Sequence, residues 1–558
     1  MASATGQRAA VLQRPATRRR STGPWQLAGR PAPHGPEQWS RWMQFFRVLA
    51  AALLAAATGW FIVFSWHWPL ANDAALMHYA VFMQQHGFAA YRGVHDINLP
   101  GAYLPSWLAI SLSTPSTDNL TWRLYDLGLL ALAGVSMIFL ARSTDWFAGI
   151  FAAALFALFH GRDGIGQTGQ RDLAIAALLL LATTCLVTAV RRVSTRRLPG
   201  PDADGWLFAG FGLALGAATT TKPFGVVYFA VLLGWALLAM RRQGRSVSPA
   251  LFPALLGFGV PLAGAMLFLL HNHAARSFLD VCRVTLPFHA SVGRFPLWAI
   301  IGRIAPLSLL KLAGVALVLF VVRRSWRRPE IVPVLLCMGL GICFFLLQDK
   351  GYSYQRYPHL AFLLLWVALE CTSALKDQRW PMRLVGLAGL LFGIFGLAPS
   401  YLRTAHHAQW HEPYLQAMQQ DLRRAGGTAL DRRVQCIDSI SGCANVLYRM
   451  RLVQATGTLY DEFLFPPPDR RSTPPQAVAA AQQTFLGEIL RNPPQVFVVA
   501  SWLFPEGPGD YQKLALWPVF RTYLADHYVL ADEQNFPRAE NGPLGFRMYV
   551  RKPEPALR

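Results

Sequence analysis

Eleven apolar stretches divide the chain between residues 45 and 401, falling at about 45–66, 122–141, 146–160, 172–190, 206–220, 224–240, 250–271, 298–322, 331–347, 357–374 and 383–401. A helix needs about 20 predominantly apolar residues to cross the hydrocarbon core, where only helices and closed barrels satisfy their own backbone hydrogen bonds. This pattern predicts a multi-pass α-helical membrane protein of about eleven transmembrane helices. Composition agrees, since 53% of the 558 residues are hydrophobic and only 15% are charged, against about a quarter charged in soluble domains. Lys and Arg number 52 against 30 Asp and Glu, a formal charge of +22. In a soluble chain that excess would suggest nucleic acid. Here it gathers in short loops between apolar runs, so the lipid bilayer is the expected partner and nucleic acid is not.

Residues 1–40 are rich in Arg, Pro, Gly and Ser, include Arg18-Arg19-Arg20 and hold no apolar run. They predict a disordered basic tail rather than a cleavable signal peptide, and they place the N-terminus in the cytoplasm. If each apolar run crosses once, four cytoplasmic loops are basic: Arg191, Arg192, Arg196 and Arg197; Arg241, Arg242 and Arg245; Arg323, Arg324, Arg327 and Arg328; Lys376, Arg379 and Arg383. The opposite loops mix charge with Gly, Gln, His and Tyr. The expected organisation is a tail at 1–40, a transmembrane domain at 41–402 with a first outer loop at about 67–121, and a soluble α/β domain at 403–558. That orientation puts the last domain in the periplasm of a bacterial inner membrane. Strand-like runs stand at 495–501 and 545–550, and helical periodicity at 413–425 and 476–491. Cys436 and Cys443 lie in this polar part and would be able to pair in an oxidising compartment; their spacing leaves that open.

Four polar stations stand out against the apolar background. Asn72-Asp73 follows the first span and opens a segment, with Leu76, Tyr79, Ala80 and Met83 at helical spacing and Gly87 at its end, that predicts an amphipathic helix on the outer surface. Asp73 serves there either as a helix cap or as a carboxylate able to take a proton from an acceptor. Residues 103–113 are apolar but too short to cross. Arg171-Asp172 heads an apolar helix, where the acid either complements the dipole and pairs with its neighbour or acts chemically. Lys222 precedes Pro223 between two apolar runs and either snorkels to headgroups or faces a ligand. The run from Gln348 to Pro358 carries Lys350, Tyr352, Tyr354 and Arg356, which form either an interfacial belt or a clamp for a phosphate or diphosphate. Arg283, His289 and Arg294 in the preceding loop are weaker candidates. No zinc-type Cys/His spacing, phosphate-binding glycine loop or nucleophile elbow is present. His406, His407 and His411 are a weak metal possibility, so no metal or other cofactor is expected.

The acid after the first span, followed by Tyr91-Arg-Gly-Val-His-Asp96-Ile-Asn-Leu-Pro100-Gly-Ala-Tyr103, resembles the first outer loop of the GT-C glycosyltransferases. Within them it is similar to the bacterial branch related to protein O-mannosyltransferases and the lipid A aminoarabinose transferase. Gly-Gln-Arg171-Asp172-Leu, Lys222-Pro223 and Lys350-Gly-Tyr352-Ser-Tyr354 stand in the order of that branch's motifs. The resemblance implies an inverting glycosyltransferase that takes a sugar from a polyprenyl phosphate (or diphosphate) donor and passes it to a periplasmic glycan, lipid or protein acceptor. It implies Asp73 as general base and Asp172 as a second acid. Arg171, Lys222, Lys350 and Arg356 would neutralise the donor phosphate, with Asp96, Tyr352 and Tyr354 as substrate contacts. The chain departs from the branch where it reads Asn98-Leu99-Pro100 rather than a Pro-Pro pair, and where Gln355 replaces His. A transporter or flippase for lipid-linked sugars, or a non-catalytic component of polysaccharide assembly, is the competing expectation.

Overall fold

In the computed structural model the apolar runs are helices, and the polar stations sit where those helices begin or end. The structure describes residues 41–114, 116–195, 204–410, 412–439, 441–465, 475–503, 511–537 and 544–553. The basic tail expected at 1–40, and Arg196 and Arg197, lie outside the described residues. After α1 (Arg41–Ser65), two shorter helices, α2 (Asn72–Gln85) and α3 (Tyr103–Leu112), precede α4 (Asp118–Ala141), α5 (Trp146–Asp163) and α6 (Arg171–Thr195). There follow α7 (Gly205–Thr221), α8 (Gly225–Arg242), α9 (Ser248–His271), the short α10 (Ala275–Asp280), α11 (Leu286–Ser291) and α12 (Leu297–Ile301), then α13 (Leu307–Val322), α14 (Val332–Leu347) and α15 (Tyr357–Ala374). The last apolar run forms α16 (Trp380–Leu391) and α17 (Ala398–His406), joined by a π-helical turn.

Among the described residues, eight helices are long and apolar enough to cross a membrane, so the chain is a multi-pass membrane protein. The other three runs give α5 with 18 residues, α7 with 17 and α13 with 16. The run expected at 298–322 is not continuous. It breaks between α12 and α13 at Pro306, which has no N–H to donate and disfavours helix at the residue before it. The bundle is built around α15, whose entire apolar window is buried. At its edge α7 and α9 approach backbone to backbone, because any side chain at Gly212, Gly216 or Gly257 would collide with the facing helix; small residues permit such contact where lipid provides no hydrophobic drive. Helix α6 places Arg171 and Arg192 at opposite ends, about 30 Å apart by helical rise. The basic loops therefore lie at one end of the bundle and the four polar stations at the other.

Helix α2 departs from expectation. It does not lie on an outer surface: every residue from Ala74 to Met83 is buried. The sheet domain covers the face that the sequence leaves polar, with α19 (Cys443–Met450) packed against α2 and the Tyr79 hydroxyl donating to Leu452 O at 3.2 Å. That domain opens with α18 (Glu412–Ala425) and carries a four-stranded sheet of β1 (Val434–Ile437), β2 (Val496–Ala500), β3 (Tyr528–Phe536) and β4 (Leu544–Arg551). The order is β1-β2-β4-β3, with β1 parallel to β2 and the other pairs antiparallel. Helix α20 (Pro475–Arg491) supplies the crossover between the parallel strands, and α21 (Pro518–His527) precedes β3. The strand expected at 495–501 is β2, that at 545–550 is β4, and both expected helices are present. Cys436 of β1 and Cys443 of α19 form a disulfide.

A buried carboxyl beside a half-buried one sets a pH dependence in this domain. Asp421 of α18 faces Asp532 of β3, and the Gln534 Nε2 donates to them at 2.6 and 3.1 Å. Burial, then the hydrogen bond with Asp532 and its charge, pushes the Asp421 carboxyl up to about 6. A raised folded-state value means that the native state holds a proton the unfolded state releases. The stability this contributes is complete below the ordinary Asp range near 4 and is lost as pH rises through about 6. Asp421→Asn is therefore expected to flatten the pH dependence of Tm and to raise Tm at pH 7.5 but not at pH 4, as measured by thermal unfolding in detergent.

Candidate functional site

The site starts at the first residues of α2. Asn72 takes a left-handed φ of 52°, Ala71 occupies the cap position and no side chain caps the helix. Asp73 is thus not engaged in capping. Its Oδ2 accepts from the Arg171 Nη2 at 3.4 Å. Arg171 is brought there by the turn before α6, which is pinned from below: Asp126 of α4 accepts the Gly169 N–H at 2.6 Å, and the Trp122 indole donates to Thr168 O at 3.1 Å. Gly169 has a φ of 63° and lies against the Trp122 ring, so no side chain fits. Asp126 belongs to a buried network with Arg123 and with His160, whose other ring nitrogen meets the Tyr357 hydroxyl at 2.9 Å.

Asp172 does not pair with its neighbour Arg171. Both of its oxygens accept from the Lys222 Nζ, each at 2.8 Å. Lys222 terminates α7 just before Pro223, and it turns inward rather than toward headgroups, reaching the Gln348 Oε1 at 3.4 Å and lying 5.8 Å from the centre of the Tyr354 ring. Burial pushes the Lys222 ammonium below its ordinary range, against the pull of Asp172.

The third part is the turn from Gln348 to Arg356. Asp349 and Gly351 take left-handed φ values of 52° and 60°, which direct Lys350 between them toward α11, where its Nζ donates to His289 O at 2.9 Å. Gln355 crosslinks the turn, donating to Gln348 Oε1 at 3.1 Å and accepting from the Tyr352 N–H at 3.2 Å.

These segments enclose one cavity of about 520 Å³. Asp73, Arg171, Lys222, Lys350, Tyr352 and Tyr354 all line it, and Asp172 stands directly behind Lys222. Arg294 and His289, which the sequence marks only weakly, line it too, whereas Arg283 does not. Two other expected residues are elsewhere. Arg356 turns away and its Nη2 meets Asp163 Oδ2 at 2.9 Å. Asp96 does not line the cavity but sits behind two residues that do, its Oδ1 accepting from the Asn98 Nδ2 at 2.7 Å and from the Tyr460 hydroxyl at 3.0 Å. Arg356→Ala is accordingly expected to lower Tm while leaving the affinity for undecaprenyl phosphate within about twofold, because it leaves the buried Asp163 with Arg162 alone, at 3.2 Å, which costs stability rather than ligand contacts.

The sheet domain contributes residues that sequence reasoning missed. Tyr460 and Glu462 line the cavity, and Glu462 Oε1 meets the His289 Nδ1 at 2.6 Å. Between them Asp461 is anchored by a buried lysine: the Lys513 Nζ donates to Asp461 Oδ2 at 2.6 Å and to Ile437 O and Trp502 O, each at 2.9 Å. That clamp fixes the loop at the carboxyl ends of β1 and β2. The only signal in the sequence is Tyr460-Asp461-Glu462-Phe463, an acidic pair between aromatics. Among the described residues no group of three or more His, Cys, Asp or Glu side chains is arranged to hold a metal; His411 lies outside the described residues.

The cavity thus joins two carboxylates, Asp73 and Glu462, four cations from four separate segments, three tyrosines and apolar lining residues that include Leu76, Phe224, Leu286 and Leu347. Such a site can hold an anion on the cations, a greasy chain along the apolar residues and a proton on Asp73.

No protein-family model matches the sequence, and no curated protein matches it. Solved structures do share its fold. ArnT from Cupriavidus metallidurans in the apo state superposes with a TM-score of 0.53 at 13% identity, over 90% of this chain and 98% of that one. The same protein bound to undecaprenyl phosphate gives 0.50 at 14% identity over the same shares. The oligosaccharyltransferase of Archaeoglobus fulgidus, tethered to an acceptor peptide containing the NVT sequon, gives 0.50 at 12% identity over 92% of this chain and 75% of that one. The chain shares the fold of these structures.

Proposed function

We propose that this protein is an inverting glycosyltransferase, which moves a sugar from a polyprenyl-phosphate donor to an acceptor of the cell envelope at the periplasmic face of a bacterial inner membrane. One observation carries the reading: a single cavity unites Asp73 with Arg171, Lys222 and Lys350 and has apolar residues such as Leu76, Phe224, Leu286 and Leu347 in its lining. The likeness in fold to an ArnT bound to undecaprenyl phosphate supports a donor of that kind. The basic loops at the far end of the bundle support the orientation, since such loops are retained in the cytoplasm.

In the reaction, Asp73 takes the proton of the attacking hydroxyl or amine as the new bond forms at the anomeric carbon. The bond from that carbon to the phosphate oxygen breaks on the opposite side of the sugar, and the electron pair leaves with the lipid phosphate. Arg171, Lys222 and Lys350 are placed to stabilise the charge that develops there. Asp172 favours the charged form of Lys222 against its burial and holds it at the cavity. The apolar residues take the first isoprene units.

Purified protein supplied with labelled undecaprenyl-phosphate sugar and native envelope membranes is expected to deplete the label from the lipid and release undecaprenyl phosphate. Label that moves across a vesicle bilayer but stays on the lipid would instead identify a flippase.

A further inference from the structure

One face of α4 holds three of the segments that supply the cavity. Asn119, Trp122, Arg123 and Asp126 recur at spacings of three and four residues, so they form a single stripe near the start of that helix. Asn119 Oδ1 accepts from the Leu70 N–H at 2.9 Å, and the Trp122 ring lies edge-on to His78 at 4.6 Å, which fixes the first loop on either side of Asp73. Arg123 supports the same loop: its guanidinium donates to Ser65 Oγ of α1 and sits 5.0 Å from the centre of the Trp68 ring. Trp122 and Asp126 take the second segment, the turn before α6, through Thr168 O and the Gly169 N–H. The third is reached through α5. His160 meets the Asp126 carboxylate at 3.2 Å with one ring nitrogen and the Tyr357 hydroxyl at 2.9 Å with the other. Tyr357 begins α15 and directly follows the turn that presents Lys350, Tyr352 and Tyr354. None of these α4 and α5 side chains lines the 520 Å³ cavity, and neither does Tyr357.

We infer that Asp126 is a positioning residue for the transfer reaction: through Gly169 it sets Arg171, through His160 and Tyr357 it sets the turn of Lys350 and Tyr354, and the two turns keep one relative geometry because both are tied to it. The centre of the network is dry, since the side chains of Arg123, Asp126 and His160 are all 0% exposed. Asp126 accepts from Arg123, His160 and Gly169, so both of its oxygens are engaged and one guanidinium balances its charge. In a low-dielectric interior no water replaces a lost partner, so a change at one end of such a network is passed to the other. The consequence for catalysis rests on the cavity being the donor site; the linkage of the two turns does not.

Two measurements on the full chain in nanodiscs test this. Tyr357→Phe deletes one hydroxyl and keeps the ring. It is expected to speed amide exchange by about threefold or more in residues 165–170 as well as in 350–356, read by hydrogen–deuterium exchange. Unchanged exchange at 165–170 overturns the inference. The second measurement is a double-mutant cycle with Arg171→Ala, scored as the Kd for undecaprenyl phosphate. Trp122→Phe and Asp126→Asn are each expected to weaken binding by about fivefold or more beside a native Arg171, and by less than about twofold once Arg171 is replaced. Asp126→Asn strands a buried guanidinium, so where it fails to fold Trp122→Phe decides. Equal losses in the two backgrounds report a general loosening of the fold and overturn the inference, as does no loss in either. If Arg171→Ala binds undecaprenyl phosphate like wild type while Tyr357→Phe loosens both turns, the donor reading falls and the linkage through Asp126 stands.

Discussion

Asp73→Asn is expected to lower the rate of sugar transfer by about 10²- to 10⁴-fold, the range that a positioned general base contributes. The substitution keeps the shape of the side chain and removes only its charge and basicity. The protein should remain folded, because Asp73 neither caps α2 nor occupies the core; its side chain is 26% exposed, and its one ion pair, to Arg171, is long at 3.4 Å. Affinity for undecaprenyl phosphate should hold or rise, since Arg171 loses a competing anion. These expectations are opposite in sign for the two ligand groups, and a structural role for Asp73 would not produce the split. The measurement is a single-turnover rate with labelled donor beside a binding isotherm for undecaprenyl phosphate. A rate within a few fold of wild type would sink the base assignment.

The residues that proved to share the cavity were legible because polar side chains are expensive beside lipid. Asp73, Arg171, Lys222 and Lys350 are isolated among apolar runs, and a bilayer admits such groups only at helix ends or inside a cavity. Alternating basic loops then placed them at one end of the bundle. What the sequence did not reveal depends on contacts between distant segments. Helix α2 reads as amphipathic because His78 and Gln85 stand opposite the stripe of Leu76, Tyr79, Ala80 and Met83; it is buried because α19 arrives some 370 residues later, as in the 375-residue separation of Gln454 N from the Tyr79 hydroxyl that accepts it at 2.8 Å. Arg356 and Lys350 stand in one motif, but the turn at Asp349 and Gly351 sends one to His289 and leaves the other to Asp163. Strand β3 escaped notice because it is a sheet edge whose half-buried Asp532 and exposed Glu533 break the alternation of a half-buried strand. Tyr460 and Glu462 belong to a domain whose composition looks soluble, and only the acidic pair between aromatics at 460–463 marks them locally.

The pair Lys222–Asp172 separates structure from function more sharply than either residue alone. Lys222→Met leaves the Asp172 carboxylate, 3% exposed, without its partner. Breaking a buried pair from one side costs about 3–5 kcal/mol, enough for a marked fall in Tm. The same change removes a cation from the cavity. If Lys222 holds the donor phosphate, affinity for undecaprenyl phosphate should fall by one charge-assisted contact, about 1.5–3 kcal/mol, or roughly 10- to 150-fold in Kd. Adding Asp172→Asn to Lys222→Met removes the stranded charge and should restore most of the lost Tm, while affinity and transfer stay low. Were the lysine only a counter-ion for Asp172, the double variant would recover transfer together with stability. The decisive comparison is therefore the double variant against Lys222→Met in two assays: Tm is expected to rise, and binding of undecaprenyl phosphate is expected not to follow it.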